Sequence, residues 1–156
     1  MTAIIRPAFI DTNVLIDATD EARPQHELAI RLLERHPSLV MSAQIAREYL
    51  VVCTRPAGAN GLGLPVEDAV QNLSALRGAV SLLPEEQPVL PTFLTLLEHT
   101  PVAGKAIHDA AVVAALVAHR LSELITSNPG DFSRFAEIAN IWPLEAAAGE
   151  LDTEGP

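Results

Sequence analysis

The stretch FIDTNVLI, residues 9–16, decides the fold because it places a carboxylate between a buried strand and a helix. Its apolar residues predict a strand over residues 6–11, followed by a short helix over residues 12–18. An ionised Asp11 in apolar surroundings costs roughly several kcal/mol unless a cation or hydrogen bonds compensate the charge. Asp11 therefore requires a partner, and other isolated acids of the chain are candidates to share one with it.

The rest of the chain alternates between helices and strands in the same way. Further helices are predicted over 24–35, 43–53, 66–77, 88–98 and 105–120, and further strands over 38–41, 79–82, 123–126 and 138–142. The Gly- and Pro-rich residues 55–65 predict a loop, and residues 128–130 predict a turn. This alternation indicates the α/β class, a parallel sheet with helices on both faces. In such sheets ligands bind beyond the carboxyl ends of the strands, where Asp11 is expected.

Composition limits the class of protein. The 156 residues are 49% hydrophobic, with one cysteine, Cys53, which fits a reducing compartment and excludes an internal disulfide framework. No stretch approaches the ~20 apolar residues of a membrane-spanning helix, and the first residues lack a signal-peptide pattern. We therefore expect a cytoplasmic protein without membrane contact, with one domain over 1–143 and a flexible acidic tail over 144–156.

The formal net charge of −10 argues against a non-specific coat on nucleic acid, for which a basic surface is typical. It does not argue against a metal-dependent phosphodiesterase. Such an enzyme gathers acids around a cation, and the bound cation then reverses the local field.

Three further acids stand out because their surroundings are apolar or turn-forming. Glu48 shares a predicted helix face with Ile45, and Asp109 shares one with Val112. Asp131 follows the predicted turn after a strand. Each acid alone is also typical of a helix N-terminus or a satisfied core acid, and that alternative stays open for each of them. Together with Asp11 they favour a site for a hard divalent cation, Mg²⁺ or Mn²⁺, which prefers oxygen ligands.

Four segments in the same order resemble PIN-domain nucleases, and their size and spacing are similar to those of the VapC toxins of type II toxin–antitoxin systems. The segments are Asp11–Asn13, Gln44–Tyr49, Gly104–Ala110 and Thr126–Phe132. The resemblance spans roughly residues 8 to 142. It implies a three-layer α/β/α PIN-like fold around a central, mostly parallel sheet of four to five strands.

The resemblance also implies a function and its residues. The implied activity is Mg²⁺-dependent endoribonuclease hydrolysis of RNA phosphodiester bonds, with Mn²⁺ as the alternative ion. The implied catalytic and metal-binding acids are Asp11, Glu48, Asp109 and Asp131, and the implied orienting residues are Thr12, Asn13, Thr126 and Asn128. Family members place an acid or Asn at the position of Asn128, and often an acid where Asp131 stands. Asn128 is neutral here, so the fourth acidic role falls to Asp131. The implied partners are RNA, a VapB-type antitoxin and a second copy of the chain.

Two alternatives remain open at this point. One is a catalytically weak PIN domain that acts mainly as a binding module, inside an antitoxin–DNA complex that represses its own promoter. The other is a phosphatase with an aspartyl nucleophile at Asp11. That chemistry typically requires a second Asp two residues later, and the chain has Asn13 there.

Overall fold

The fold is built on one sheet of five parallel strands. The computed structural model describes residues 6–85 and 87–153. The strands are β1 (Ala8–Ile10), β2 (Leu39–Met41), β3 (Val80–Leu82), β4 (Glu123–Thr126) and β5 (Asn140–Pro143). Their order in the sheet is β3-β2-β1-β4-β5, and every neighbouring pair is parallel. The prediction of a parallel sheet with four to five strands is therefore confirmed.

Seven α-helices connect or follow the strands in the described residues. They are α1 (Thr12–Thr19), α2 (His26–Arg35), α3 (Ala43–Thr54), α4 (Val66–Leu76), α5 (Val89–His99), α6 (Ala106–Ala118) and α7 (Leu144–Thr153). Two short 3-10 helices lie at Ala57–Ala59 and Pro129–Phe135. The second one occupies the predicted turn at 128–130, and Phe132 and Phe135 anchor it in the core. None of the described helices is long and apolar enough to cross a membrane.

The helices form two groups, as a three-layer fold requires. Contacts link α2 to α1 and α7, α1 to α3, and α3 to α4, whereas α5 packs against α6. The strands between these groups are mostly buried: every residue of β1, β2 and β4 is inaccessible or nearly so. The long helix predicted over 105–120 is α6, which is buried along much of its length because Val112, Val113 and Leu116 face the core.

The strand order creates a crevice at one edge of the sheet. From β1 the chain moves to β2 on one side, whereas β4 lies on the other side of β1. In parallel sheets the connections on the two sides of such a switch point diverge, and a crevice opens beyond the strand ends. Asp11 follows β1 directly, and Thr126 is the last residue of β4. The topology therefore brings these two residues together.

The prediction of a flexible acidic tail over 144–156 is wrong for residues 144–153, which form α7; residues 154–156 lie outside the described part. Leu144, Ala147 and Ala148 recur at helical spacing and are buried. Asp152 accepts hydrogen bonds from Arg31 at 2.8 Å and from Arg35 at 2.7 Å, which join α7 to α2. The prediction relied on the acidic composition of this segment and overlooked the apolar face of the helix.

Candidate active site

Asp11 lies at the junction of β1 and α1 and is held by hydrogen bonds on both carboxylate oxygens. Its Oδ1 accepts from the backbone N–H of Thr12 at 2.8 Å, so that Asp11 caps α1. Its Oδ2 accepts from the hydroxyl of Thr126 at 2.9 Å. Even so, burial raises the pKa of Asp11 from 3.8 to about 6, and the charges of Asp109 and Glu48 contribute to this rise. The free-energy cost of ionising a buried Asp11, which the sequence predicts, is therefore present in the folded protein.

Glu48 reaches the site from α3 and is connected to α1. Its Oε2 accepts from the Thr12 hydroxyl at 3.0 Å, and its Oε1 accepts from the Gln44 side chain at 2.9 Å, one turn earlier on the same helix. Thr12 therefore contacts two of the predicted acids, Asp11 through its amide and Glu48 through its hydroxyl. Both contacts fix the carboxylates relative to α1.

Asp109 and Asp131 complete the acidic part of the site from the other side. Asp109 lies in the first turn of α6, and Asp131 lies in the first turn of the 3-10 helix after β4. Burial raises the pKa of Asp109, and the nearby charge of Asp131 raises it further, followed by that of Glu48. Lys105 acts in the opposite direction. The structure thus places Asp131 within electrostatic reach of Asp109.

The predicted orienting residues form a hydrogen-bonded layer under the acids. The Asn13 Oδ1 accepts from the Ser127 backbone N–H at 3.0 Å, and its Nδ2 donates to the Thr126 hydroxyl at 3.4 Å. The Asn128 backbone N–H donates to the same hydroxyl at 3.0 Å. The Asn128 side chain is exposed and lines the cleft. Asn13 therefore ties α1 to the chain that leaves β4, which keeps Thr126 directed at Asp11.

All four acids open into one cleft of about 620 Å³. Thr12, Asn13 and Asn128 line it as well. Its cationic lining consists of Arg23, Arg47, Arg55 and Lys105. Because carboxylates and cations face the same space, the cleft is suited to a phosphate-bearing ligand that meets a cation at the acids.

Sequence and structure comparisons identify the family. A family model described as PIN domain matches residues 8–138, which is most of the chain. The chain belongs to the PIN-domain family. Ribonuclease VapC48 of Mycobacterium tuberculosis is 32% identical to it over 134 residues, which are 82% of this chain and 91% of that protein. This similarity identifies the chain as a VapC-type PIN domain and confirms the resemblance noted in the sequence.

Solved structures share the fold of this PIN domain. A toxin–antitoxin complex from Klebsiella pneumoniae matches with a TM-score of 0.59 and 23% identity, covering 88% of this chain and 97% of that one. VapBC2 from Rickettsia felis, bound to a DNA fragment from its promoter, matches with a TM-score of 0.60 and 15% identity, covering 87% and 96%. At these identities the likeness confirms the three-layer architecture.

The donor set of this PIN domain fits a hard divalent cation. The acids supply only oxygen ligands, and the buried Asp11 carboxylate, with its raised pKa, gains most from a positive partner. Within residues 6–85 and 87–153, no three His, Cys, Asp or Glu side chains are grouped closely enough to hold a metal ion as they stand. Two effects keep the carboxylates of Asp11 and Glu48 apart in the metal-free protein. Their like charges repel each other, and hydrogen bonds from Thr12, Gln44 and Thr126 hold each carboxylate where it lies.

A buried polar network next to the site was not predicted from the sequence. Asp17, on α1, is only 4% exposed. Its Oδ2 accepts from the Ser127 hydroxyl, and its Oδ1 accepts from Arg23 at 3.3 Å. Ser127 in turn donates its backbone N–H to Asn13, so the network supports the layer under the acids. The signal was available, because Asp17 interrupts an apolar run just as Asp11 does.

Proposed function

We propose that this PIN domain is a metal-dependent endoribonuclease, the toxin component of a type II toxin–antitoxin system. The observation that carries the proposal is the desolvated carboxylate of Asp11, which shares the cleft at the sheet switch point with Glu48 and Asp109. The relationship to ribonuclease VapC48 supports RNA as the substrate. Metal dependence is general among VapC nucleases, and oxygen-only donors favour Mg²⁺, with Mn²⁺ as the alternative.

The four acids divide the work of holding the cation. Asp11 and Asp109 would hold it directly, and Glu48 and Asp131 would hold it through water or a second ion. When bound, such a cation would lower the pKa of a bound water and neutralise charge on the phosphate. Thr12 and Thr126 hold Asp11 in place by the hydrogen bonds described above. Of these residues, Thr12 is the one that connects two of the acids.

The substrate is held by groups that surround the acids. Arg47, Arg55 and Lys105 line the cleft and neutralise phosphates on either side of the scissile bond. Asn13 and Asn128 orient the site through the chain after β4. The positive side chains that share the cleft with the acids would hold the phosphodiester in place, which is the main requirement for in-line attack.

The partners follow from the VapC-type assignment. We propose a VapB-type antitoxin as the cognate partner, an arrangement supported by the toxin–antitoxin complexes that share the fold. We also propose a homodimer and a cytoplasmic location, where RNA is available. An antitoxin segment across the cleft would cover the acids and block access for RNA.

Substitution of the acids tests the function. Purified Asp11→Asn and Asp109→Asn proteins should lose Mg²⁺-dependent cleavage of total RNA, because each substitution removes a negative charge from the site. Circular dichroism should show that both variants keep the wild-type fold. Asp68→Asn, on the exposed first turn of α4, removes the same charge outside the cleft and should cleave normally. Full cleavage by Asp11→Asn would refute the proposal. A wild-type protein that binds its antitoxin but cleaves no RNA in Mg²⁺ would instead favour the binding-module alternative.

A further inference from the structure

The lining of the cleft changes with distance from the sheet. Helices α1 and α3 contact each other and both begin at the carboxyl edge of the sheet, after β1 and β2. Glu48 lies on the second turn of α3, Val52 follows it by about 6 Å along the axis, and Arg55 by about 10 Å. On the α1 side, Ile16 follows Asp11, and Arg23 lies beyond the end of the helix, where it pairs with Asp17 at 3.3 Å. The acids therefore lie at the inner end of the cleft.

We call the other end the outer cleft. It is lined by Ile16, Arg23, Val51, Val52, Arg55 and Asn60. Its lining carries no acid among the described residues, and it combines apolar, cationic and amide groups. Val51 is 53% exposed and lies beside the half-buried Val52 in the lining of the cleft. The outer cleft therefore offers an apolar surface with polar groups at its margin.

Asn60 is held at this margin by a rigid loop. Asn60 has a left-handed backbone, with φ of 61°, at the end of the 3-10 helix Ala57–Ala59. The loop folds back on the end of α3: Leu62 donates its N–H to the Val52 carbonyl at 3.0 Å, and Gly63 donates to the Arg55 carbonyl at 2.8 Å. At Gly61 the approach is so close that a Cβ would lie 1.9 Å from the Arg55 carbonyl oxygen. These contacts hold the loop backbone against the end of α3, and the exposed Asn60 lines the outer cleft.

We propose that the outer cleft binds the nucleotide next to the scissile phosphate and that Asn60 reads its base. The inference rests on the ribonuclease function proposed above and adds a specificity residue to it. The base lies against Val51 and Val52, and Arg55 binds the phosphate beyond it. A side-chain amide pairs with adenine through two hydrogen bonds, to N6 and N7, so adenine is the expected base.

Several observations favour a nucleotide over a peptide segment. Bases of single-stranded RNA are recognised when they are unstacked, with the face on a side-chain surface and the edge hydrogen-bonded. The outer cleft supplies an apolar surface at Val51 and Val52, an amide at Asn60 and a guanidinium group at Arg55. RNA is also the ligand whose phosphate the inner acids require.

Cleavage of a randomised RNA library tests the subsite. Wild-type protein in Mg²⁺ should prefer adenine by roughly fivefold or more at one position beside the cleaved bond. Asn60→Gly, which tolerates the left-handed backbone, should reduce that preference to within about twofold. Asn60→Asp, which only accepts hydrogen bonds, should shift the preference towards cytosine, whose N4 donates. Gln71→Ala removes an exposed amide from α4, outside the cleft, and should leave the pattern unchanged.

A binding measurement tests the phosphate contact. The affinity of Asp11→Asn protein for a fluorescent single-stranded RNA is measured over a range of salt concentrations, with and without the additional substitution Arg55→Gln. The additional substitution should lower the affinity for all RNA sequences alike. The salt slope should decrease by about one. Arg77→Gln, an exposed cation at the end of α4, provides the matched control and should change neither quantity.

The outcomes separate the subsite from the nuclease function. Cleavage with the same base pattern in both Asn60 variants would overturn the subsite and leave the nuclease intact, and the apolar surface would then belong to a protein partner. If the wild-type protein cleaves no RNA but binds RNA, and Arg55→Gln weakens that binding, the nuclease proposal is contradicted and the nucleotide-binding proposal is supported. Absence of both cleavage and RNA binding would overturn both.

Discussion

Replacement of Asp11 by Asn should stabilise the metal-free protein at neutral pH while it abolishes activity. The fold raises the pKa of Asp11 from 3.8 to about 6. At about 1.36 kcal/mol per pKa unit, ionising this carboxylate in the folded state costs roughly 3 kcal/mol. Asn keeps the size of the side chain but loses one acceptor for Thr12 or Thr126, which costs about 1 kcal/mol. The expected net gain in the free energy of unfolding is about 2 kcal/mol.

The gain should depend on pH in a defined direction. The folded pKa of Asp11 lies above its unfolded value, so the wild type is fully penalised only when the carboxylate is ionised in both states, above about pH 6. Below about pH 3.8 it is protonated in both states, and the penalty disappears. The advantage of Asp11→Asn should therefore be largest at pH 7 to 8 and decrease steadily as the pH falls from 6 towards 4.

Urea unfolding in EDTA at several pH values measures this effect. For a chain of this size, a gain of 2 kcal/mol corresponds to roughly 4–8 °C in melting temperature. Mg²⁺ should stabilise the wild type and leave Asp11→Asn nearly unchanged, because the cation compensates the charge that the variant lacks. Asp68→Asn controls for loss of charge alone. A variant that is less stable than wild type at pH 8 in EDTA would refute the account of Asp11 as a desolvated charge.

Three further changes have expected outcomes. Thr126→Val removes the hydroxyl that donates to Asp11, so the pKa of Asp11 should rise further and Mg²⁺ affinity, measured by calorimetry, should fall. Leu144→Ala should lower the free energy of unfolding in urea by about 2–4 kcal/mol, because it leaves a cavity where α7 packs. Gly61→Ala should destabilise the protein by roughly 3 kcal/mol through its clash with the carbonyl of Arg55. Gly58→Ala, with no atom within 4 Å of the added Cβ, should melt at nearly the wild-type temperature.

The local elements were predictable because their signals are local. The strand before Asp11 is a short apolar run, and β2 is another, so both could be placed within one or two residues. Ser42 is a favourable N-cap, and in the structure its side chain accepts from the N–H of Ile45 at the start of α3. The four acids of the candidate site could be predicted because each is an isolated charge in an apolar or turn-forming segment. The structure brings all four to one cleft, while their roles in metal binding and catalysis remain predictions.

The remaining features depend on contacts between distant residues. The order β3-β2-β1-β4-β5 follows from how the crossovers pack, which no single segment encodes. The pairing of Asp17 with Ser127 joins positions 110 residues apart. The packing of α7 on α2 was hidden in the same way, since Asp152 has its cationic partners more than 100 residues earlier. Composition alone indicated a solvated tail there.

The acidic composition of the protein is compatible with RNA binding at the cleft, because the excess of acids lies outside it. Of the 20 acids and 10 cations in the chain, four of each line the cleft within residues 6–85 and 87–153. The net charge of −10 therefore belongs to the residues outside it. A divalent cation at the acids would give the cleft a positive charge on an otherwise negative surface, so phosphates should be attracted to the cleft and repelled elsewhere. We therefore expect RNA affinity for the cleft to be lower in EDTA than in Mg²⁺, so that metal binding would control access of RNA as well as its hydrolysis.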